Sequence, residues 1–145
     1  MPRLDAERVG AWRGLVRLVD GVRRELDAEL LLAHELSLAW FEALAALRDA
    51  GGRLRVVELA TELGDVVSSV SRRVARMAEQ DYVERAVEPV DGDHRTVTVA
   101  LTPAGRAAWR EANVTYRRVV QQRFAAKVTD SDLVVLQRLL SKTAL

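Results

Sequence analysis

One change of hydrophobic period, close to residue 81, constrains the fold of this chain more than any other feature. Residues 82–87 and 96–101 alternate apolar and polar side chains, as half-buried strands do. Residues 89–93 between them carry turn formers, including Asp91 and Gly92. The pattern predicts one β-hairpin in an otherwise helical chain.

Before and after this hairpin, apolar residues recur at intervals of three and four, which indicates helices with one packed face. We predict four helices before the hairpin and two after it. The first covers about residues 5–33 and is long for a chain of 145 residues. Its apolar stripe comprises Trp12, Leu15, Val19, Val22 and Leu26. A stripe of that length needs a partner, so we predict that it forms part of a dimer interface.

Local signals mark the ends of the other helices. Ser37 is the predicted N-cap of a second helix that ends at a glycine pair, and a third helix stops at Gly64. Asp65 is the nearest residue able to cap the fourth helix. Thr102 is the predicted cap of the fifth, with proline at its first position, and Thr129 begins a capping box before the sixth.

The fourth helix, which runs to about residue 80, separates two kinds of side chain. Its packed side is predicted to comprise Val67, Val70, Val74 and Met77. Its other side carries three arginines beside three serines. Guanidinium groups can donate bidentate hydrogen bonds to base edges, and short hydroxyls can reach phosphates. The predicted DNA contacts on this helix are Ser68, Ser69, Ser71, Arg72, Arg73 and Arg76.

A short helix, a glycine turn and this arginine-bearing helix together make a helix-turn-helix. The hairpin would then be a wing, in which Arg95 contacts a flanking minor groove or the backbone while Asp93 orients its guanidinium. Three arginines could also form only a solvated surface, and residues 68–95 contain five arginines against six acidic residues. DNA binding must therefore rest on the geometry of one exposed face.

Residues 93–105 resemble the DxRxxxVxLTxxG signature of the multiple antibiotic resistance regulator (MarR) family, with every fixed position filled. Residues 68–74 and 82–85 are similar to the recognition helix of that family and to the strand that follows it. The order of six helices and one hairpin matches across nearly the whole chain. The resemblance implies a winged helix-turn-helix fold, mostly α with one β-hairpin wing.

The resemblance also implies a homodimer in which the first, fifth and sixth helices pair and two winged lobes read a palindromic operator. In this reading residues 1–36 and 103–145 are dimerisation helices, and residues 37–102 form the DNA-binding lobe. Regulators of this kind are usually repressors that a small ligand releases. Double-stranded DNA and a second copy of the chain are therefore the expected partners.

Two positions depart from the family pattern. Asp81 stands where the family commonly has glycine after the recognition helix, so the turn there is expected to be strained or rebuilt. Val66 replaces the serine or threonine that often caps the recognition helix, which leaves Asp65 to cap it or leaves the end uncapped.

A ligand pocket is predicted beside His34, with Trp40 and Phe41 in its lining. Packing is the ordinary explanation for aromatic residues on helices, but such a pocket would suit a small aromatic or phenolic effector. The two histidines fall in different lobes and the chain has no cysteine, so neither a metal site nor a cofactor is expected.

Other function classes lack support in the sequence. The serines have no paired base, no nucleophile elbow and no phosphate-binding glycine loop, so we predict that the chain is not an enzyme. No long apolar run or signal peptide is present, so a cytoplasmic protein without a membrane partner is expected. Two alternatives remain open: a winged-helix module that binds another protein, and an architectural binder that tolerates any DNA sequence.

Overall fold

The computed structural model describes residues 1–90 and 94–144, with the backbone alone at residues 90, 94 and 95. Its elements follow in chain order. They are α1 (Ala6–His34), α2 (Leu38–Asp49), β1 (Arg53–Arg55), α3 (Val56–Leu63), α4 (Val67–Glu79), β2 (Val83–Val90), β3 (His94–Leu101), α5 (Pro103–Arg123), a 3-10 turn (Ala125–Lys127) and α6 (Asp130–Thr143). The fold is mostly helical with a small sheet, as predicted.

The sheet has three antiparallel strands in the order β1-β3-β2. Pairing of β2 with β3 forms the predicted hairpin and extends to Val90 opposite His94, so Pro89 lies in a strand opposite Arg95 and not in the turn. Proline is tolerated there because β2 is an edge strand. The sequence analysis missed β1, whose three residues are too few to show an alternation and whose only strand partner is β3.

The residues Asp27–Thr115 form one compact unit, called here the winged lobe. Its core comes from α2, α3, α4 and the sheet, and it includes Leu44, Leu47, Leu59, Val70, Val74, Met77 and Val99, all fully buried. The packed side predicted for α4 is confirmed at three of its four positions. Val67 is 47% exposed, because it lies in the first turn, and the prediction that it packs was wrong.

The helices α3 and α4 of the lobe each end in a turn with the same hydrogen-bond pattern. At the end of α3 the amides of Gly64 and Asp65 donate to the carbonyls of Thr61 and Ala60, with Gly64 at φ +63°. At the end of α4 the amides of Asp81 and Tyr82 repeat this pattern, and Asp81 has φ +62°. The backbone therefore keeps the turn that glycine favours, and Asp81 adopts the left-handed conformation at a cost.

The fifth helix begins at a corner that joins three parts of the lobe. Thr102 Oγ1 accepts a hydrogen bond from the Gly105 amide at 2.9 Å, which confirms the predicted cap, and donates to the Asp81 carbonyl at 2.6 Å. A Cβ on Gly105 would overlap the carbonyl oxygen of Tyr82. The threonine and glycine of the signature therefore fix the turn after α4 against the start of α5.

The residues Met1–Leu26 and Tyr116–Leu145 form the second compact unit, called here the helical unit. The capping box at the start of α6 is present as predicted, with the Asp132 amide donating to Thr129 Oγ1 at 3.1 Å. Arg123 of α5 pairs with Glu25 of α1, and this contact raises the pKa of the guanidinium. Few apolar side chains of this unit are buried within a single subunit; Leu26 and Val119 are two that are.

Candidate nucleic-acid interface

The outward face of α4 carries the predicted DNA contacts. Ser68, Ser71, Arg72 and Arg76 are exposed, whereas Ser69 and Arg73 are half-buried. The side chains of Arg72 and Arg76 form no ion pair and no hydrogen bond within the described residues. Two guanidinium groups are thus available to an external acceptor on one helix face.

Arg73 differs from its two neighbours because it already has a partner. Its Nη2 lies 2.8 Å from Asp65 Oδ2, and its side chain is only 18% exposed. This hydrogen bond is the main cause that lowers the pKa of the Asp65 carboxyl. Arg73 therefore ties α4 to the turn before it, a role that the sequence analysis did not assign.

The first turn of α4 has no side-chain cap. Val66 occupies the cap position, and Asp65 Oδ1 accepts from the Val66 amide at 2.9 Å instead of from an amide inside the helix. Of the two alternatives offered by the sequence, the uncapped end is the one observed, because the Asp65 carboxylate is engaged by Arg73 and by the Val66 amide. The first amides of α4 have no acceptor from this side chain.

A cavity of about 220 Å³ opens between α4 and the first turn of α2. Its lining consists of Ser37, Ala39, Trp40, Ser69, Arg72, Arg73 and Arg76. All three arginines of the recognition helix thus border one concavity, together with two residues of α2. The sequence analysis predicted Ser37 only as a cap, and it does cap α2 by accepting from the Trp40 amide at 3.1 Å.

The tip of the wing holds the remaining predicted DNA contacts. Asp93 lies outside the described residues, and at Arg95 the backbone alone is described, in β3. In the half of the hairpin nearer the tip, Glu88 Oε1 accepts a hydrogen bond from Arg53 Nη2 at 2.8 Å across the sheet. One acidic residue of the lobe is therefore neutralised on the sheet surface.

The predicted ligand residues lie in different surroundings. His34 borders a cavity of about 390 Å³, together with Glu35, Tyr82, Glu111 and neighbouring apolar residues. His34 Nε2 is 2.7 Å from Thr115 Oγ1. Trp40 instead borders the arginine cavity, and Phe41 is 3% exposed and belongs to the lobe core. The cavity beside His34 is lined by more carboxylates than aromatic rings.

Among residues 1–90 and 94–144, no group of three or more histidine or acidic side chains is arranged to hold a metal ion. Within the same residues no single helix is long and apolar enough to cross a membrane; α1 and α2 meet that test only when joined across the bend between them.

Comparison with known proteins gives one consistent result. The sequence model of the MarR family matches residues 34–95. AbsC, a MarR family transcriptional regulator from Streptomyces coelicolor, superimposes with a TM-score of 0.85 at 25% identity over 99% of this chain and 96% of that one. No curated protein sequence matches the chain significantly.

Two further structures extend the comparison. A second Streptomyces coelicolor regulator of the family, solved in complex with DNA, gives a TM-score of 0.87 at 25% identity over 99% of this chain and 90% of that one. An organohalide-sensing regulator solved with 2,4-dichlorophenol bound gives a TM-score of 0.78 at 25% identity over 98% and 83%. The matched segment contains the helix-turn-helix and most of the wing, and the likeness of fold covers the whole chain. Residues 34–95 thus match the MarR family model, and nearly the whole chain has the fold of winged helix transcriptional regulators of that family, which are DNA-binding proteins and not enzymes.

Proposed function

We propose that this chain is a sequence-specific repressor that binds a palindromic operator as a homodimer in the cytoplasm. The observation that carries the proposal is the pair of exposed guanidiniums of Arg72 and Arg76 on the second helix of a helix-turn-helix, neither of which has a partner among residues 1–90 and 94–144. Ser68, Ser69 and Ser71 lie beside them and would contact base edges or phosphates. Arg95, oriented by Asp93, would make the wing contact.

The homodimer is supported by apolar side chains that a single subunit leaves exposed on α1 and α6. They are Trp12, Leu15, Val16, Leu18, Val19, Leu133, Val134, Val135, Leu139 and Leu140. Apolar surface on this scale marks an interface. We therefore propose that residues 1–36 and 103–145 carry the dimer contacts and that residues 37–102 bind DNA.

Operator binding can be tested with a duplex enriched from a random-sequence library by the parent protein. Each bidentate contact to a base or phosphate contributes about 1–3 kcal/mol, so Arg72→Ala combined with Arg76→Ala should weaken binding about 30-fold or more. The matched control is Arg110→Ala, on the exposed side of α5. If the double variant binds the enriched duplex as tightly as the parent, the assignment of α4 is wrong.

The two alternatives give different results in the same assay. An architectural binder would enrich no consensus, and any competitor duplex would displace the probe equally. A protein-binding module would show no salt-dependent affinity for DNA at all. The exposed arginine pair favours DNA binding over the protein-binding module, because free guanidiniums on one helix face suit phosphates and base edges, and enrichment of a consensus separates a specific operator from an architectural site.

Ligand control is the least supported part of the proposal. It rests on the cavity beside His34 and on the organohalide-sensing relative, whose structure holds a phenol. A small aromatic or phenolic effector that binds there should raise the melting temperature and release the duplex. A screen of phenols and aromatic acids that produces neither effect would exclude this form of regulation.

A further inference from the structure

The cavity between α2 and α4 is lined in part by residues outside α4, and contacts of α4 with base edges do not explain their presence. It is concave, it borders the exposed arginines of α4, and its lining also includes Trp40 of α2 and Ser37, the cap of that helix. We infer that this cavity seats one phosphate of the DNA backbone and that Trp40 donates its indole N–H to it. The inference rests on the proposed operator binding and adds a positioning site to it.

The charges around the cavity favour an anion. Three guanidiniums border it, and Asp65 neutralises only that of Arg73. No carboxylate belongs to the lining, and Arg72 and Arg76 have no partner within the described residues. Two uncompensated positive charges at one concave site provide what a phosphodiester needs.

The size of the cavity favours one group of atoms over a complete small molecule. Its volume of about 220 Å³ lies below the range of roughly 300–1,000 Å³ that is typical of small-molecule sites. A phosphodiester presents a compact pair of charged oxygens on a continuous chain. Such a group can enter an open cleft while the rest of the nucleic acid stays outside.

Trp40 is held in place by its neighbours while one polar atom stays unused. Its ring packs edge-on against Tyr82, with centroids 6.1 Å apart and planes at 87°, and its backbone amide donates to Ser37. The indole N–H forms no hydrogen bond within the described residues. An indole N–H can only donate, so an acceptor that arrives from outside would satisfy it.

The cavity also divides the face of α4 into two flanks. Ser69, Arg72, Arg73 and Arg76 border the cavity, whereas Ser68 and Ser71 do not and point to the remaining side. Phosphate contacts position a protein on the duplex, and contacts to bases specify the sequence. The flank beside the cavity therefore sets position, and the serine flank is left to contact bases.

The experiment combines Trp40→Phe with a methylphosphonate scan of the enriched duplex. Methylphosphonate removes the charge of one phosphate at a time. We expect one phosphate in each half-site at which the substitution weakens binding by the parent about tenfold or more, and a penalty at that phosphate that is clearly smaller in Trp40→Phe. Arg76→Gln should remove the same penalty and lower the slope of log affinity against log salt by about 1.

Trp109→Phe is the matched control, because it makes the same substitution at another half-buried tryptophan of the winged lobe, where Arg48 stacks on the ring. Its methylphosphonate profile should equal that of the parent. Equal melting temperatures exclude misfolding of either variant. If the parent binds the duplex but every phosphate gives the same penalty in Trp40→Phe as in the parent, the phosphate site is wrong and the proposed function stands.

Two other outcomes would also overturn the inference. Competition by inorganic phosphate at constant ionic strength, lost in Arg76→Gln, would assign the cavity to a free anion. Failure of the parent to enrich any duplex would remove the proposed function together with this site.

Discussion

The winged lobe and the helical unit differ in how far their own chain buries their apolar side chains. In the lobe, Leu44, Leu59, Val70 and Val99 are fully buried within one subunit, and each helix has a face that packs. In the helical unit, Trp12 is 65% exposed and Leu140 57% exposed, and no residue of α6 is buried. The lobe therefore completes its core within one chain, while the apolar faces of α1 and α6 stay exposed, and we propose that a second chain covers them.

This contrast teaches that similar apolar patterns have different meanings in the two regions. The stripe on α1 and the apolar side of α4 share the same spacing. Of the stripe on α1 only Leu26 is buried, whereas on the apolar side of α4 only Val67 is exposed. Dimerisation is thus expected to depend on the helical unit, and the geometry of the DNA-binding face on contacts inside the lobe.

The largest expected effect comes from Leu44→Ala, compared with Leu140→Ala. Leu44 is fully buried, so its truncation should lower the free energy of unfolding by about 2–5 kcal/mol without changing the dimer dissociation constant. Leu140→Ala should instead raise that constant about tenfold while costing a single subunit less than about 0.5 kcal/mol. Urea unfolding and sedimentation equilibrium measure the two quantities.

A dissociation constant that is unchanged by Leu140→Ala would place α6 outside the interface and break the comparison between the two units.

Gly105→Ala should destabilise the winged lobe next most strongly. The added Cβ would overlap the Tyr82 carbonyl oxygen and lie 2.9 Å from the carbonyl carbon, so backbone must move at a cost of about 1–3 kcal/mol. Thermal unfolding measures the loss. Gly10→Ala, on α1 of the helical unit with open space around it, is the control and should not destabilise. Equal losses of stability at both positions would contradict the close approach of Gly105 to the Tyr82 carbonyl.

Substitutions at the two left-handed residues that end α3 and α4 should change the stability less, and in opposite directions. Asp81→Gly should stabilise the protein by about 0.5–1 kcal/mol, because glycine adopts φ +62° without a Cβ penalty. Gly64→Ala should destabilise it by about 1 kcal/mol, and open space around a Cβ there means that the cost is conformational. Denaturant midpoints at equal protein concentration compare both with the parent.

If Asp81→Gly proves destabilising, the aspartate side chain must contribute contacts that outweigh the strain of its backbone.

The smallest expected effect concerns the contact of Asp65 with Arg73. Because the pKa of Asp65 is lowered in the folded protein, ionised Asp65 stabilises the fold above its ordinary pKa, and this stability is lost as the pH falls through the lowered value. Asp65→Asn should therefore be slightly less stable than the parent at neutral pH. The difference should shrink as the pH falls below the ordinary pKa of about 4 and vanish below the lowered value. A difference that persists in acid would exclude the ion pair as its cause.

Sequence reasoning predicted most of the fold because its signals are local. Period, caps and turn residues gave all six helices and the hairpin, including the caps by Ser37, Thr102 and Thr129. It failed where partners come from elsewhere in the chain. The strand β1 exists only because β3 lies beside it, and the exposure of Val67 depends on where the core of the lobe ends.

The candidate site shows the same limit. The sequence identified the arginine row on α4 as a group, since residues three and four apart share a helix face. It could not distinguish Arg73, whose partner Asp65 lies eight residues away across a turn, from Arg72 and Arg76. It also assigned Trp40 to a ligand pocket, whereas packing of α2 against α4 brings that ring to the arginines.

By itself, then, the sequence determined which segments form helices and strands, where most of them end, and which helix carries the guanidiniums, because these depend on neighbours within a few positions. The tertiary structure decided which apolar faces stay uncovered, which arginine is already paired, and which α2 residues border the cavity beside α4. Those outcomes depend on side chains that approach from distant segments, and no local pattern encodes their distances.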